Sequence, residues 1–205
     1  MPAISRRRSL TIAAMAMAIA GFSVADRAAA SEQAALARGF IEKAAAEVRA
    51  EAPAVKAAGS ARSGFASLFD RNFHLDSLVQ AVIGGRWAAL TPAAQGEFRR
   101  AFESYLVKAY AERFYAYAGR PMTVVATEPA ASGAVLVRTM VEMSEGSSVP
   151  VDWQVGRFGP DQRITDVVID GVSLTRTQRD EFASVIRANG GDVGKLTAML
   201  NQRSQ

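Results

Sequence analysis

The sequence has no cysteine among its 205 residues and only one histidine, His74. Without cysteine, the chain has no disulfide, no thiol nucleophile and no thiolate ligand for a metal. One histidine is too few for the usual histidine-based zinc centres, and the lack of others excludes most catalytic pairs of a nucleophile with a histidine. We therefore expect no catalytic residues, no metal site and a fold that depends on its hydrophobic core.

The sequence also lacks an apolar run long enough to span a bilayer. The longest run, residues 10–24, is shorter than the roughly 20 residues that a spanning helix needs. It follows Arg6, Arg7 and Arg8, and small residues continue from it to Ala30. This pattern predicts a secretory signal peptide over residues 1–30, of the Sec or twin-arginine type, cleaved near residue 25 or 30. Residues 31–205 are then one exported domain.

Removal of the signal peptide almost abolishes the net positive charge. The whole chain has 24 basic and 20 acidic residues. Residues 1–30 hold four arginines and one aspartate, so 20 basic and 19 acidic residues remain. Net charge therefore gives no reason to expect nucleic-acid binding.

The first half of the exported chain has helical patterns. We predict helices over residues 32–51, ending near Pro53, and over residues 75–84. A long helix is predicted over residues 91–118, because Thr91 suits the N-cap and Pro92 the first helical position. Its aromatic face recurs at helical spacing through Phe98, Phe102, Tyr105, Leu106, Tyr110, Phe114 and Tyr117.

Period-two alternation follows, in four segments separated by short turns. It predicts four strands in an antiparallel meander, and two helices close the chain. This order predicts an α+β fold in which several helices pack against the sheet. We expect the long aromatic helix to cover the sheet's inner face.

The segment at residues 166–174, Asp-Val-Val-Ile-Asp-Gly-Val-Ser-Leu, is followed by Arg179 and Phe182. This order resembles the periplasmic phospholipid-binding proteins of the MlaC type, also called the toluene-tolerance family. Trp87 after Gly84, the Thr91–Pro92 helix start and Trp153 are similar to other positions of that family. Asp152 and Gln154 around Trp153, and Gln162 to Thr165, depart from its pattern.

The resemblance implies a periplasmic lipid carrier with an apolar lipid cavity between the sheet and the helices. It implies no cofactor other than bound lipid as cargo. The implied partners are a phospholipid or related lipid, an inner-membrane ABC transporter complex and an outer-membrane lipoprotein complex. Some relatives are associated with hopanoids, so a polycyclic lipid stays open. The residues that we expect to bind lipid are Leu78, Val82, Trp87, Phe98, Phe102, Tyr105, Leu106, Tyr110, Phe114, Val137, Val151, Trp153 and Val168.

Two other classes of protein are compatible with the pattern. One is a small cone-shaped α+β enzyme that acts on a hydrophobic substrate, for example with Tyr110 and Asp152 as its polar pair. The other is an adaptor with a fully packed core. For Asp166 and Asp170, we expect turn capping in preference to paired-carboxylate chemistry.

Overall fold

The computed structural model describes residues 24–143 and 146–205; residues 1–23 of the predicted signal peptide lie outside them. The helices are α1 (Val24–Ala57), α2 (Ala61–Asn72), α3 (Leu75–Ile83), α4 (Pro92–Tyr117), α5 (Leu174–Ala188) and α6 (Val193–Ser204). The strands are β1 (Met122–Pro129), β2 (Val135–Glu142), β3 (Ser148–Phe158), β4 (Asp161–Ile169) and β5 (Val172–Ser173). Short 3₁₀ helices span Gly84–Ala89 and Ala131–Gly133. In the part of the chain described, no helix is long and apolar enough to cross a bilayer.

Helix α4 has the bounds that its local sequence predicts. The Thr91 hydroxyl accepts a hydrogen bond from the Ala94 N–H at 3.2 Å, and Pro92 is the first helical residue. Proline costs nothing there, because the first-turn N–H groups have no partner within the helix.

Helix α1 runs further than the sequence predicts. The expected end near Pro53 is wrong, since α1 continues through Pro53 to Ala57. Proline removes one hydrogen bond from a helix interior. The side chains on either side of Pro53, Ala52 and Val55, pack against neighbouring helices and hold the turn in place.

The sheet has five strands and not the four that the sequence predicts, in the order β1-β2-β3-β4-β5 with every pair antiparallel. The additional strand is the two-residue β5, which pairs Val172 with Ile169 and Ser173 with Val168. Asp170 and Gly171 form the turn between β4 and β5, with φ of 50° and 78°. Such a two-residue turn with positive φ favours Asp-Gly. A strand of two residues is too short to show alternation.

In the residues that the structure describes, most buried hydrophobic side chains fall into two clusters. The sheet core contains Ala37 and Ile41 of α1 with Val124, Val135, Val137, Val155, Ile164 and Val167 of the strands. The helical core contains Ala52 of α1 and buried side chains of α2 to α6, among them Phe65, Phe69, Phe98, Phe102, Phe182 and Leu196. Phe73, in the link between α2 and α3, packs against both cores.

The expectation that α4 covers the sheet is therefore wrong. Helix α1 lies on β1 and β2, while α4 packs mainly on α2 and α6. Small side chains such as Ala37 let the axis of α1 approach the sheet closely. The large rings of α4 are enclosed by other helices: Phe98 and Phe102 each meet the ring of Phe182, at 6.4 and 5.8 Å between centroids.

A bulge in β4 decides which side chains face α1. Gln154 pairs with Asp166 and Val155 pairs with Ile164, so Thr165 is an extra residue on β4. An extra residue reverses the alternation beyond it. Ile164 and Val167 consequently share the α1 face, whereas Val168 lies on the opposite face of the sheet. The prediction that Val168 shares a wall with Val137 and Val151 is thus wrong.

Candidate functional site

Six partly exposed apolar side chains surround the sheet core, and we call them the apolar rim. They pack against the sheet core and are only partly buried: Phe40, Phe73, Met122, Val151, Trp153 and Leu174. These residues come from α1, the α2–α3 link, β1, β3 and the first turn of α5. Partly exposed apolar surface that several elements supply around a core is typical of a site that receives an apolar ligand.

Trp153 is held in the rim by a chain of hydrogen bonds inside the sheet. Its Nε1–H donates to Thr139 Oγ1 at 3.1 Å, and the Thr139 hydroxyl donates to the Val151 carbonyl oxygen at 2.5 Å. Thr139 is 0% exposed. The one polar atom of the indole is thus satisfied towards the interior, which leaves the apolar ring as wall surface.

Phe73 connects the rim to a series of aromatic rings in the helical core. Its ring stacks on Phe69, with 4.7 Å between centroids and 13° between planes. Phe65 continues the series at 6.3 Å from Phe69, and Phe114 follows at 5.4 Å from Phe65. Apolar surface therefore runs without interruption from the sheet to α4.

The neighbouring residue, His74, fixes the link that carries Phe73. Its backbone N–H donates to the Ile164 carbonyl oxygen at 3.0 Å, which joins the link to β4. Its Nδ1 accepts from the Ser77 N–H at 3.2 Å and so caps α3. The imidazole also stacks on Phe158, with 3.6 Å between centroids. The only histidine of the chain is thus structural in its contacts.

The Asp166 carboxylate organises the start of α5. Its Oδ1 accepts from the N–H groups of Val167 and Thr175, at 2.8 and 3.1 Å. Its Oδ2 accepts from the Ser173 hydroxyl at 2.5 Å, and the Ser173 Oγ accepts in turn from the Arg176 N–H at 3.0 Å. A negative charge at a helix N-terminus is favourable. This network ties β4 to α5 and places Leu174 at the rim.

The comparisons with known proteins agree with this architecture. The family model described as MlaC protein matches residues 40–202. The chain belongs to the MlaC family. Toluene tolerance protein Ttg2D of Pseudomonas putida is 24% identical over 105 residues, which are 51% of this chain and 49% of that protein. The match thus spans about half the length of this curated relative.

A solved structure resembles the MlaC-family chain over most of its length. It is a phospholipid-binding protein from Ralstonia solanacearum, in complex with a phospholipid. The TM-score is 0.71 and the sequence identity is 26%, and the match covers 82% of this chain and 96% of that chain.

The structure divides the predicted lipid-binding residues between the two cores. Nine belong to or pack against the helical core: Leu78, Val82, Trp87, Phe98, Phe102, Tyr105, Leu106, Tyr110 and Phe114. Val137 lies inside the sheet core, and Val151 and Trp153 belong to the rim. Sequence patterns missed Phe40, Phe73, Met122 and Leu174. Phe40 and Met122 lie in segments with a visible pattern, whereas Phe73 lies in the link between α2 and α3 and Leu174 is the first residue of α5.

Two open clefts lie away from the rim. One, of about 330 Å³, is bounded by α1, α2 and α4 and contains Tyr115. The other, of about 460 Å³, lies between α2, α4 and the end of α6. Neither lies between the sheet and the helices, where the sequence predicts a lipid cavity.

The polar pair considered for an enzyme is not assembled. Tyr110 packs against the helical core, where burial and the nearby Tyr105 and Glu181 raise the pKa of its phenol. Asp152 lies on the sheet face away from α1, 3.8 Å from Arg138, which also binds Glu128 at 3.1 Å. The two residues thus belong to different layers of the fold.

Proposed function

We propose that this MlaC-family chain is a periplasmic carrier, not an enzyme, that holds the acyl chains of a phospholipid between its two cores. The apolar rim is the observation that carries the proposal. It offers partly exposed apolar surface at the junction of sheet and helices, and its Trp153 wall is fixed by internal hydrogen bonds. The structural neighbour from Ralstonia solanacearum, which was solved with a phospholipid, supports the ligand class.

The division of the interior into two cores suggests how the site opens. Each core is closely packed in itself, and α1 and Phe73 connect the two. A small rotation of the helices against the sheet would separate Phe73 from the other five rim residues while both cores stay packed. The rim would then form one wall of the opened site. Phe69, Phe65 and Phe114 would form the other.

The energetics favour a carrier that loads without a fuel of its own. A buried CH₂ group contributes roughly 0.8 kcal/mol, so an acyl chain of about 15 such groups contributes roughly 12 kcal/mol. The same contribution holds the lipid in a bilayer, so the free energy of moving a lipid between the bilayer and the protein is close to zero. A lipid that escapes into water loses this free energy of burial, and spontaneous release is therefore slow.

Release accordingly requires a partner that opens the site. The family implies an outer-membrane lipoprotein complex on one side and an inner-membrane ABC transporter complex on the other. We expect labelled lipid to pass from the loaded protein to vesicles that contain a cognate complex much faster than to protein-free vesicles. Equal rates would contradict the handover.

Native mass spectrometry tests the cargo directly. The exported protein is purified from a periplasmic fraction without detergent, weighed intact and extracted with organic solvent. We expect an added mass that resolves into a phospholipid. A hopanoid in the extract would support lipid carriage but would show that the cargo is not a phospholipid. A bare protein mass, with no uptake from vesicles of membrane lipid, would refute lipid carriage.

Two tryptophan substitutions on opposite faces of the sheet test where the acyl chains lie. Val151→Trp fills the rim, and we expect it to reduce lipid occupancy several-fold while the fold survives. Val168→Trp makes the same change on the other face and should leave occupancy unaltered. Equal occupancy in the two variants would place the lipid elsewhere.

A further inference from the structure

The cleft of about 460 Å³ between α2, α4 and α6 is unusually rich in positive charge. Two helices and the end of a third supply its lining: Arg62, Ala66, Arg100, Glu103, Ser104, Val107, Lys108 and Ser204. Three of these side chains are cationic and one is anionic. The exported chain as a whole is almost neutral, so this is a local concentration of charge.

Of the three cations of the cleft, only Arg62 and Arg100 lack a hydrogen-bond or ion-pair partner in the described part of the chain, since Lys108 donates to Gln205. Arg71, Arg99 and Arg203 each form an ion pair with a carboxylate. In residues 24–143 and 146–205, neither Arg62 nor Arg100 lies within ion-pair distance of a carboxylate. Two exposed guanidinium groups thus remain available to an anion from solution.

Three of the charges of the cleft are distributed along α4. Arg100 and Lys108 are eight residues apart on α4, about 12 Å along the helix axis. Lys108 donates to the backbone oxygen of Gln205 at 3.1 Å, so this end of the cleft closes on the end of the chain. Ala66 and Val107 contribute apolar surface between the charges.

Glu103 is the carboxylate in the lining, and its negative charge opposes an anion. Burial and the negative charge of Asp70 raise the pKa of Glu103, although Arg99 acts in the opposite direction. A carboxylate in such surroundings is the group that an arriving anion must overcome. Its removal should therefore strengthen binding.

We propose that this cleft binds the phosphate group of a glycerophosphate ester. Arginine suits phosphate because its planar guanidinium presents paired N–H donors to two oxygens. The glycerol part would lie over Ala66 and Val107. The site is formed by the helical layer alone and is separate from the rim, so it does not depend on acyl-chain binding there.

Two probes distinguish a free glycerophosphate ester from the headgroup of a membrane phospholipid. The first is sn-glycerol 3-phosphate in solution, with glycerol as the neutral control. The second is a vesicle of phosphatidylglycerol, compared with one of phosphatidylcholine at the same ionic strength. Binding of the soluble ester alone would assign a free ligand. Binding of the phosphatidylglycerol vesicle would assign a headgroup at a membrane surface.

A charge-matched pair of double variants tests the location. Arg62→Gln with Arg100→Gln should weaken binding of whichever probe binds by roughly tenfold or more, because the charge-assisted hydrogen bonds of both guanidinium groups to the phosphate are lost. Arg49→Gln with Arg187→Gln removes the same charge from exposed positions outside the cleft. This control should change binding less than twofold.

Glu103→Gln provides a test that misfolding cannot imitate. We expect it to tighten binding, because the change removes the carboxylate that faces the arriving phosphate. Three results would overturn the proposal. These are no binding of either probe, equal weakening in both double variants, and weaker binding in Glu103→Gln.

Discussion

The Asp166 network gives the sharpest prediction about stability. Asp166→Asn keeps the shape of the side chain but removes its charge. Three hydrogen bonds to the carboxylate, from Val167, Ser173 and Thr175, become neutral or are lost. Hydrogen bonds to an ionised group are about twice as strong as neutral ones, and the favourable charge at the start of α5 is lost as well.

We expect the free energy of unfolding to fall by about 2 kcal/mol in this variant, since bonds to charged groups are worth roughly 1.5–3 kcal/mol and neutral ones about 1. For a domain of this size, that loss lowers the melting temperature by about 4–8 °C. Urea unfolding followed by circular dichroism measures the first quantity, and a thermal scan measures the second.

Asp170→Asn is the matched control, four residues further along the chain. Asp170 is exposed in the turn between β4 and β5 with φ of 50°, a conformation that asparagine also tolerates. We expect this variant to lie within about 0.5 kcal/mol of the parent protein. Equal losses in the two variants, or no loss in Asp166→Asn, would refute the structural assignment of Asp166.

Three further predictions concern Gly64, Tyr115 and His74. A Cβ on Gly64 would lie 2.7 Å from the Tyr115 hydroxyl. Gly64→Ala should therefore lower the free energy of unfolding by about 1–3 kcal/mol through overpacking. A double-mutant cycle in urea should show that Tyr115→Phe recovers part of this loss. Burial, and then Glu51, raise the pKa of Tyr115, although Arg71 lowers it. A raised pKa in the folded state means stability that is complete below the unfolded pKa, near 10, and is lost as pH rises through the folded value. Unfolding curves between pH 9 and 11 should therefore show a smaller loss in Tyr115→Phe, and an equal loss would contradict the assignment. His74→Ala removes the cap of α3 and the stacking on Phe158. It should lower the free energy of unfolding by about 1–2 kcal/mol. His74→Asn restores a capping group and should recover part of this loss; no recovery would argue against the cap.

Helix α1 is the element through which a partner could open the proposed lipid site. Because α1 contributes Ala37 and Ile41 to the sheet core and Ala52 to the helical core, a partner that moves α1 would act on both at once. The apolar rim and the cleft between α2, α4 and α6 share no residue. A partner or a membrane surface could therefore engage the cleft without covering the rim.

Local signals in the sequence determined several elements. Thr91 and Pro92 start α4 as predicted, because capping is an interaction within one turn. Alternation located β1 to β4, because neighbouring side chains of a strand point to opposite faces. The order of residues from Asp166 to Leu174, together with the other matching positions, identified the family. In each case, the information lies within a few residues of the feature.

Tertiary structure decided what depends on residues distant in the chain. Helix α1 passes Pro53 because packing on either side outweighs one lost hydrogen bond. The bulge at Thr165 turns Val168 away from α1, and no local pattern announces it. The apolar rim unites Phe40, Phe73 and Leu174 with strands far along the chain. These features depend on which surfaces meet, and the energy of packing is settled only when the elements assemble.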